Sequence, residues 1–129
     1  MIPLCRHVGV GVVPWSPLAR GWLSGSRGTS RHAATARARS DDFARQLYDA
    51  SDLSVIDVAN KVAAERSVST AQVALGWLLD KPGVTSPIVG ATKIAHIDDA
   101  VAALDVSLSD QEITRLEKPY RPHAIRGHG

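Results

Sequence analysis

The chain has 129 residues, enough for one domain of ordinary size, and its 44% hydrophobic and 22% charged residues exclude an intrinsically disordered chain. No apolar run is long enough to cross a bilayer, no signal peptide opens the chain, and the single cysteine, Cys5, has no internal disulfide partner, so a cytoplasmic setting is expected. The net charge of +2 hides an imbalance, +5 in residues 1–45 against −3 in the rest, which places the basic excess early in the chain.

With aromatic residues at only 5%, the core must be built of Ala, Val, Leu and Ile. Met1–His7 reads as the last turn of a helix whose beginning is absent. Val8–Trp15 (VGVGVVPW) is a near-continuous apolar run, the pattern of a strand buried on both faces of a parallel sheet. Ser24–Ser40 has no apolar periodicity and reads as a long loop, and Asp41–Asp49 as a short helix. Ser54 reads as the cap of a helix that carries Val55, Ile56, Ala59, Val62 and Ala63. Ser69-Thr70-Ala71-Gln72 is a capping box before Val73, Leu75, Trp77 and Leu78, and Pro82-Gly83 ends that helix. Thr85–Val89 predicts a second strand. Ile94–Leu104 predicts a helix with Ile97, Val101 and Leu104 on one stripe. Ser109-Asp110-Gln111-Glu112 is a second capping box, opening a helix that ends before Pro119. Strand, helices, strand, helices is a piece of α/β architecture. Two parallel strands do not make a stable sheet alone, so the chain reads as incomplete.

Two segments share a design. Val12–Gly21 (VVPWSPLARG) and Ser86–Lys93 (SPIVGATK) are each a short apolar strand that empties into small residues, Gly, Ser or Thr, and a basic side chain. Such a loop offers backbone N–H groups and positive charge to a phosphate at the carboxyl end of a strand. Two of them point to a nucleotide-sized anion site and supply no chemistry of their own. Plainer alternatives stay open at this stage: a strand-to-helix turn for Ser16–Gly21, a solvated helix-start lysine for Lys93, a surface histidine for His96 and a core ring for Trp15. Trp22 and Trp77 read as core or loop packing.

Other chemistries find no pattern. Arg20, Arg27, Arg31, Arg37, Arg39 and Arg45 lack the interleaved aromatics that stack bases, so no nucleic-acid partner is expected. The five histidines have no metal-ligand spacing, and Ser16 is not in a G-x-S-x-G elbow. Asp41-Asp42 and Asp98-Asp99 read as helix N-terminal charges that complement the dipole.

The order PWSPLARG, a long loop, STAQVALGWLLDKPGV, SPIVGATK, a helix and LSDQEITRLEKP resembles the C-terminal part of aldo-keto reductases, over essentially the whole chain. TARARSDDFARQLY and KPYRPHAIRG look most like the bacterial YajO-like subgroup. The resemblance implies a (β/α)₈ TIM barrel, a fold of about 250 residues. Residues 1–23 would be its strand seven and cofactor loop, 24–51 a long loop and short helix, 52–82 helices, 83–104 strand eight and its helix, and 105–129 the C-terminal helix and tail. It further implies that the two loops hold NADP(H). Trp15 matches the ring that stacks on the nicotinamide. Ser16, Pro17, Leu18, Arg20 and Gly21 match the loop along the pyrophosphate; the Arg-rich stretch after it reads as a solvated loop covering the cofactor, with Arg37 a candidate phosphate contact. Gly90, Ala91, Thr92 and Lys93 match the receiver of the adenosine 2′-phosphate, so NADPH should be preferred over NADH. His96 falls near that phosphate, and Asp99 where an acidic residue accepts from the adenine amino group. Ala100 stands where many members have Asn, which removes one adenine contact.

The family's reaction is the reversible reduction of an aldehyde or ketone to an alcohol. It uses a Tyr proton donor tuned by Lys and Asp, and a His that orients the substrate. These four lie on early strands that this sequence does not contain, and neither Tyr48 nor Tyr120 matches the catalytic position. No catalytic residue is therefore assigned, the chain alone is expected to be inactive, and a small carbonyl substrate is expected only when the other part of the barrel is supplied. Two alternatives accompany this reading: a nucleotide-binding or regulatory module that self-associates through its open barrel edge, and a basic interaction protein using residues 20–45.

Overall fold

The computed structural model describes residues 1–24, 47–48, 50–122 and 124. Among them are five α-helices: α1 (Ile2–Val8), α2 (Ala50–Arg66), α3 (Thr70–Leu79), α4 (Ile94–Ala102) and α5 (Asp110–Glu117), with short 3₁₀ turns at Ala19–Gly21 and Ala103–Asp105. The long loop, the short helix expected over 41–49 and Arg27 to Arg45 lie outside the described residues, Leu47 and Tyr48 apart.

The expected helical turn at the start is present as α1. It stops at Gly9, whose left-handed backbone (φ 72°) lets Val10 N–H donate back to Cys5 O at 2.8 Å. The apolar run that follows does not form the strand the sequence predicts. Val8 still belongs to α1, and extended pairing begins only at Val12, which bridges Val84 in parallel; a second parallel bridge joins Trp15 to Ile88. Three backbone hydrogen bonds hold the two segments: Val12 N–H to Gly83 O (3.1 Å), Thr85 N–H to Val12 O (2.8 Å) and Ile88 N–H to Pro14 O (2.8 Å). Gly11 permits this approach, because a Cβ there would run into the Thr85 side chain, whose own Cβ would stand 3.2 Å away. Burial on both faces is also overturned: Val10, Val13, Trp15 and Ile88 are exposed. An apolar run in a parallel sheet is covered by neighbouring strands and by layers on both faces. Among the described residues these two segments have only each other as bridge partners.

The helices form the packed half. α2 turns Ile56, Ala59, Val62 and Ala63 inward, and Ala59, Val62 and Ala63 meet Val73 of α3 and Leu116 of α5 in one core cluster. α3 is the central helix, packing against α2, α4 and the 103–105 turn, with Leu75 and Ala103 buried on that side. Both expected capping boxes are formed. Ser69 Oγ accepts from Gln72 N–H while Gln72 Oε1 accepts from Ser69 N–H, and Ser109 and Glu112 repeat the pattern. Ser54 is not a cap, since α2 already runs from Ala50 and encloses it. Asp98-Asp99 do not stand in a first turn either, because α4 begins at Ile94. The α4 stripe Ile97, Val101 and Leu104 exists at helical spacing but faces outward, exposed together with Ile94.

Ion pairs tie the helices together. Arg66, the last residue of α2, donates from Nε and Nη2 to the two carboxylate oxygens of Glu112 on α5 (2.6 and 2.9 Å) and from Nη2 to Ser107 O (2.8 Å). Arg115 makes a bidentate pair with Glu65 at 2.8 Å on both arms. Glu117 accepts from Trp77 Nε1 at 3.0 Å and from Lys81, whose ammonium stands over the Trp77 ring at 4.7 Å from its centroid. An apolar cavity of about 490 Å³ lies between Pro14, Pro17 and Leu23 on one side and α2, α3 and α5 on the other.

Candidate functional site

The parallel bridge between Trp15 and Ile88 fixes what the two loops can do together. Both segments run the same way, so the loop that starts at Ser16 and the one that starts at Gly90 leave the same, carboxyl-terminal end of the pair. The resemblance implies that the two segments are neighbouring strands; the bridges show which residues pair and bring these candidate residues to one edge.

In the first loop the backbone is bent hard. Ser16 (φ 54°), Ala19 (φ 48°), Arg20 (φ 55°) and Gly21 (φ 94°) are all left-handed, and for three residues with a Cβ this is costly, roughly 1–2 kcal/mol each. The bend is paid for by hydrogen bonds inside the loop. Ala19 N–H donates to Ser16 O, Arg20 N–H to Ser16 Oγ at 3.3 Å, Gly21 and Leu23 N–H to Leu18 O, and Trp22 N–H to Ala19 O. The N–H groups of Ala19 to Leu23 are thus engaged within the loop. What the loop turns outward is side chain, and first among these is Trp15, 67% exposed and not a core ring. Trp22 packs edge-on to Tyr48, with ring centroids 6.4 Å apart, as the sequence reading of loop packing has it.

The second loop is more open. Gly90, Ala91, Thr92, Lys93 and His96 are all exposed, and a Cβ placed on Gly90 would meet nothing within 4 Å. Lys93 is the N-cap residue of α4 with extended backbone (φ −139°, ψ 150°), and its side chain makes no capping bond. His96 turns back: its Nδ1 accepts from Thr92 N–H at 3.5 Å, and its own N–H donates to Lys93 O at 3.1 Å. Asp99, one turn further along α4, is half-buried, and its Oδ1 accepts from Gln72 Nε2 at 2.9 Å.

Gln72 escaped the sequence reading as part of this constellation. Its cap role was legible at three-residue spacing, whereas its bond to Asp99 spans 27 residues and leaves no periodic trace. No cluster of three or more His, Cys, Asp or Glu able to hold a metal ion occurs among the described residues, and none of their helices is long and apolar enough to cross a membrane.

The sequence model of the aldo/keto reductase family matches residues 1–121. The chain belongs to the aldo/keto reductase family. A putative aryl-alcohol dehydrogenase of Schizosaccharomyces pombe is 39% identical over 128 residues, covering 98% of this chain and 35% of the relative. Versiconal hemiacetal acetate reductase of Aspergillus parasiticus is 42% identical over 128 residues, 97% of this chain and 36% of the relative. A probable aldo-keto reductase of Glycine max is 32% identical, over 90% of this chain and 34% of its own length. The chain therefore spans about a third of the curated relatives it matches. These fungal and plant proteins give no support to the bacterial YajO-like placement. Aldo/keto reductases are (β/α)₈ barrels that typically use NAD(P)H, and the parallel bridge pair beneath a helical layer is compatible with a portion of such a barrel.

Proposed function

We propose that this chain is the cofactor-holding C-terminal portion of an NADP(H)-dependent aldo/keto reductase, with residues 15–21 and 90–99 forming the cofactor site. One observation carries the reading: the Trp15–Ile88 parallel bridge, which puts both loops at the same end of neighbouring segments. The kinds of residue found there fit such a group. Trp15 offers an exposed ring for the nicotinamide, and Ser16, Pro17, Leu18, Arg20 and Gly21 would line the pyrophosphate. Gly90 leaves its backbone open to close approach, and Ala91, Thr92 and Lys93 stand at the positive end of the α4 dipole, where the 2′-phosphate would bind. His96 would stand beside that phosphate and Asp99 would accept from the adenine amino group. When bound, the cofactor supplies hydride to a carbonyl carbon.

The chain's own residues bind and orient the cofactor, and none of them is assigned a proton-transfer role. Carbonyl reduction thus belongs to the complete protein and not to this stretch by itself. Among the relatives, one is named an aryl-alcohol dehydrogenase and one a hemiacetal acetate reductase. We take the substrate class of the complete protein to be a small aldehyde, ketone or corresponding alcohol. A cytoplasmic setting goes with the cofactor reading.

Thermal unfolding of the chain with NADPH and with NADH tests the cofactor site. Ligand that binds only the folded state raises its stability by RT ln(1 + [L]/Kd). The expected result is a melting temperature raised by NADPH, less by NADH, with the NADPH advantage lost in Lys93→Met. Equal shifts from both nucleotides in native and variant chains would refute the 2′-phosphate assignment.

A second reading, self-association, is favoured by the outward apolar stripe of Ile94, Ile97, Val101 and Leu104 and by the exposure of Val13 and Ile88. Sedimentation of Ile97→Lys beside the native chain tests it.

A further inference from the structure

The side-chain amide of Gln72 is used at both ends. Its Oε1 accepts from Ser69 N–H at 3.0 Å and closes the cap of α3; its Nε2 donates to Asp99 Oδ1 at 2.9 Å. An amide carries one acceptor and one donor group, so committing Oε1 to the cap dictates that a donor faces Asp99. The anchor is firm, because Thr70, Ala71 and Val73, the neighbours of Gln72 on the first turn of α3, are buried, and Thr70 Oγ1 donates to Asn60 Oδ1 of α2 at 2.8 Å. Asp99 is thereby held by one oxygen, and its other oxygen keeps acceptor capacity for a second donor.

We propose that Gln72 is a positioning residue for the nucleotide base: by holding Asp99 Oδ1 it presents Oδ2 as an acceptor, and so selects a purine with an exocyclic amino group over one with an oxo group at the same place. The inference rests on the reading that residues 90–99 receive the adenosine end of the cofactor. It adds a residue from another helix, α3, whose contribution is direction and not contact. A side chain held by packing and by a neighbour's hydrogen bond gives a sharper preference than a free one.

The polarity of the arrangement can be reversed on purpose. In Asp99→Asn, Gln72 Nε2 continues to demand an acceptor, so the Asn carbonyl faces Gln72 and the Asn NH₂ faces the base. In the double variant Gln72→Glu with Asp99→Asn, the cap survives, since Glu serves this position of a capping box as well as Gln does. Residue 72 now accepts, the Asn amide turns over, and its carbonyl faces the base again.

The test is binding of NADPH and of its deamino analogue, in which hypoxanthine replaces adenine, to the full chain by fluorescence titration, with thermal melts as a control of folding. The native chain is expected to favour NADPH about tenfold, the scale of one hydrogen bond to a charged group. Asp99→Asn is expected to favour the deamino analogue, and the double variant to favour NADPH once more, with similar melting temperatures throughout. The same preference in Asp99→Asn and in the double variant would overturn the positioning role of Gln72, because a merely structural glutamine cannot switch it. Binding of NADPH with no preference in the native chain overturns this inference alone. No binding of either nucleotide by a folded native chain overturns the cofactor reading and this inference with it.

Discussion

On α2, α3 and α5 the large apolar side chains are inside, with Val62, Val73 and Leu75 at 0 to 2% exposure, whereas on α4, the 103–105 turn and the two extended segments residues of the same kind, Ile97, Val101, Leu104, Val13 and Ile88, are all more than half exposed. Composition does not separate the two regions; partners do. Three helices close a core on one another and are clamped by Arg66–Glu112, Arg115–Glu65 and the Trp77–Lys81–Glu117 cluster. The bridge pair has one backbone partner on one side only, among the described residues. The helical half is thus a frame, and the strand half is a surface. The candidate cofactor loops belong to the surface, where exposure is what a binding site requires.

The largest blow to that contrast comes from the frame. Leu75→Ala should cost about 3 kcal/mol, the lost transfer of a buried leucine plus the cavity it leaves against the 103–105 turn. Urea unfolding of native and variant chains measures it; a loss below about 1 kcal/mol would mean that α3 is not the central packed helix.

A smaller effect is expected at the clamp. The Arg66 guanidinium, followed by the Ser109 backbone N–H and hydroxyl, holds the Glu112 carboxyl at about 2, down from its ordinary 4.5. The folded value lies below the unfolded one, so this contribution is complete above pH 4.5 and is lost as pH falls from 4.5 toward 2. Glu112→Gln keeps a capping side chain and gives up the charge. It should lower stability at pH 7 by about 1 kcal/mol and flatten the stability profile between pH 4.5 and 2. An unchanged slope in that window would show that the pair does not couple to folding.

The smallest effect is expected on the surface half. Ile97→Lys, at a position 53% exposed, should change stability by less than about 0.5 kcal/mol. Where copies pair through the α4 stripe, the variant sediments as monomer at concentrations at which the native chain does not. A cost comparable to that of Leu75→Ala would erase the distinction between the two halves.

Much of the local structure could be read directly from residue order. Ser69 with Gln72 and Ser109 with Glu112 announce helix starts because a capping box lies within four residues. The α1 turn is local for the same reason, although it runs one residue past His7 and stops at Gly9. Ser54 misled because a serine inside a helix has the same composition as one at its start, and only the backbone upstream distinguishes them. Among the candidate site residues, Trp15, Lys93 and Asp99 were visible as types in a pattern, but their exposure and the company of Asp99 were not.

Residue order sufficed for the caps at Ser69 and Ser109, for the helices they open, for the two segments that lead into loops and for the resemblance to aldo-keto reductases, since each rests on short-range spacing or on the order of motifs. Packing settled which residues of the two parallel segments pair, the outward face of the apolar run and of the stripe Ile97, Val101 and Leu104, and the hold of Gln72 on Asp99. Each of these depends on which element lies beside which, and a side chain's burial or its distant hydrogen-bond partner is set by that neighbour and not by the residues next to it in the chain.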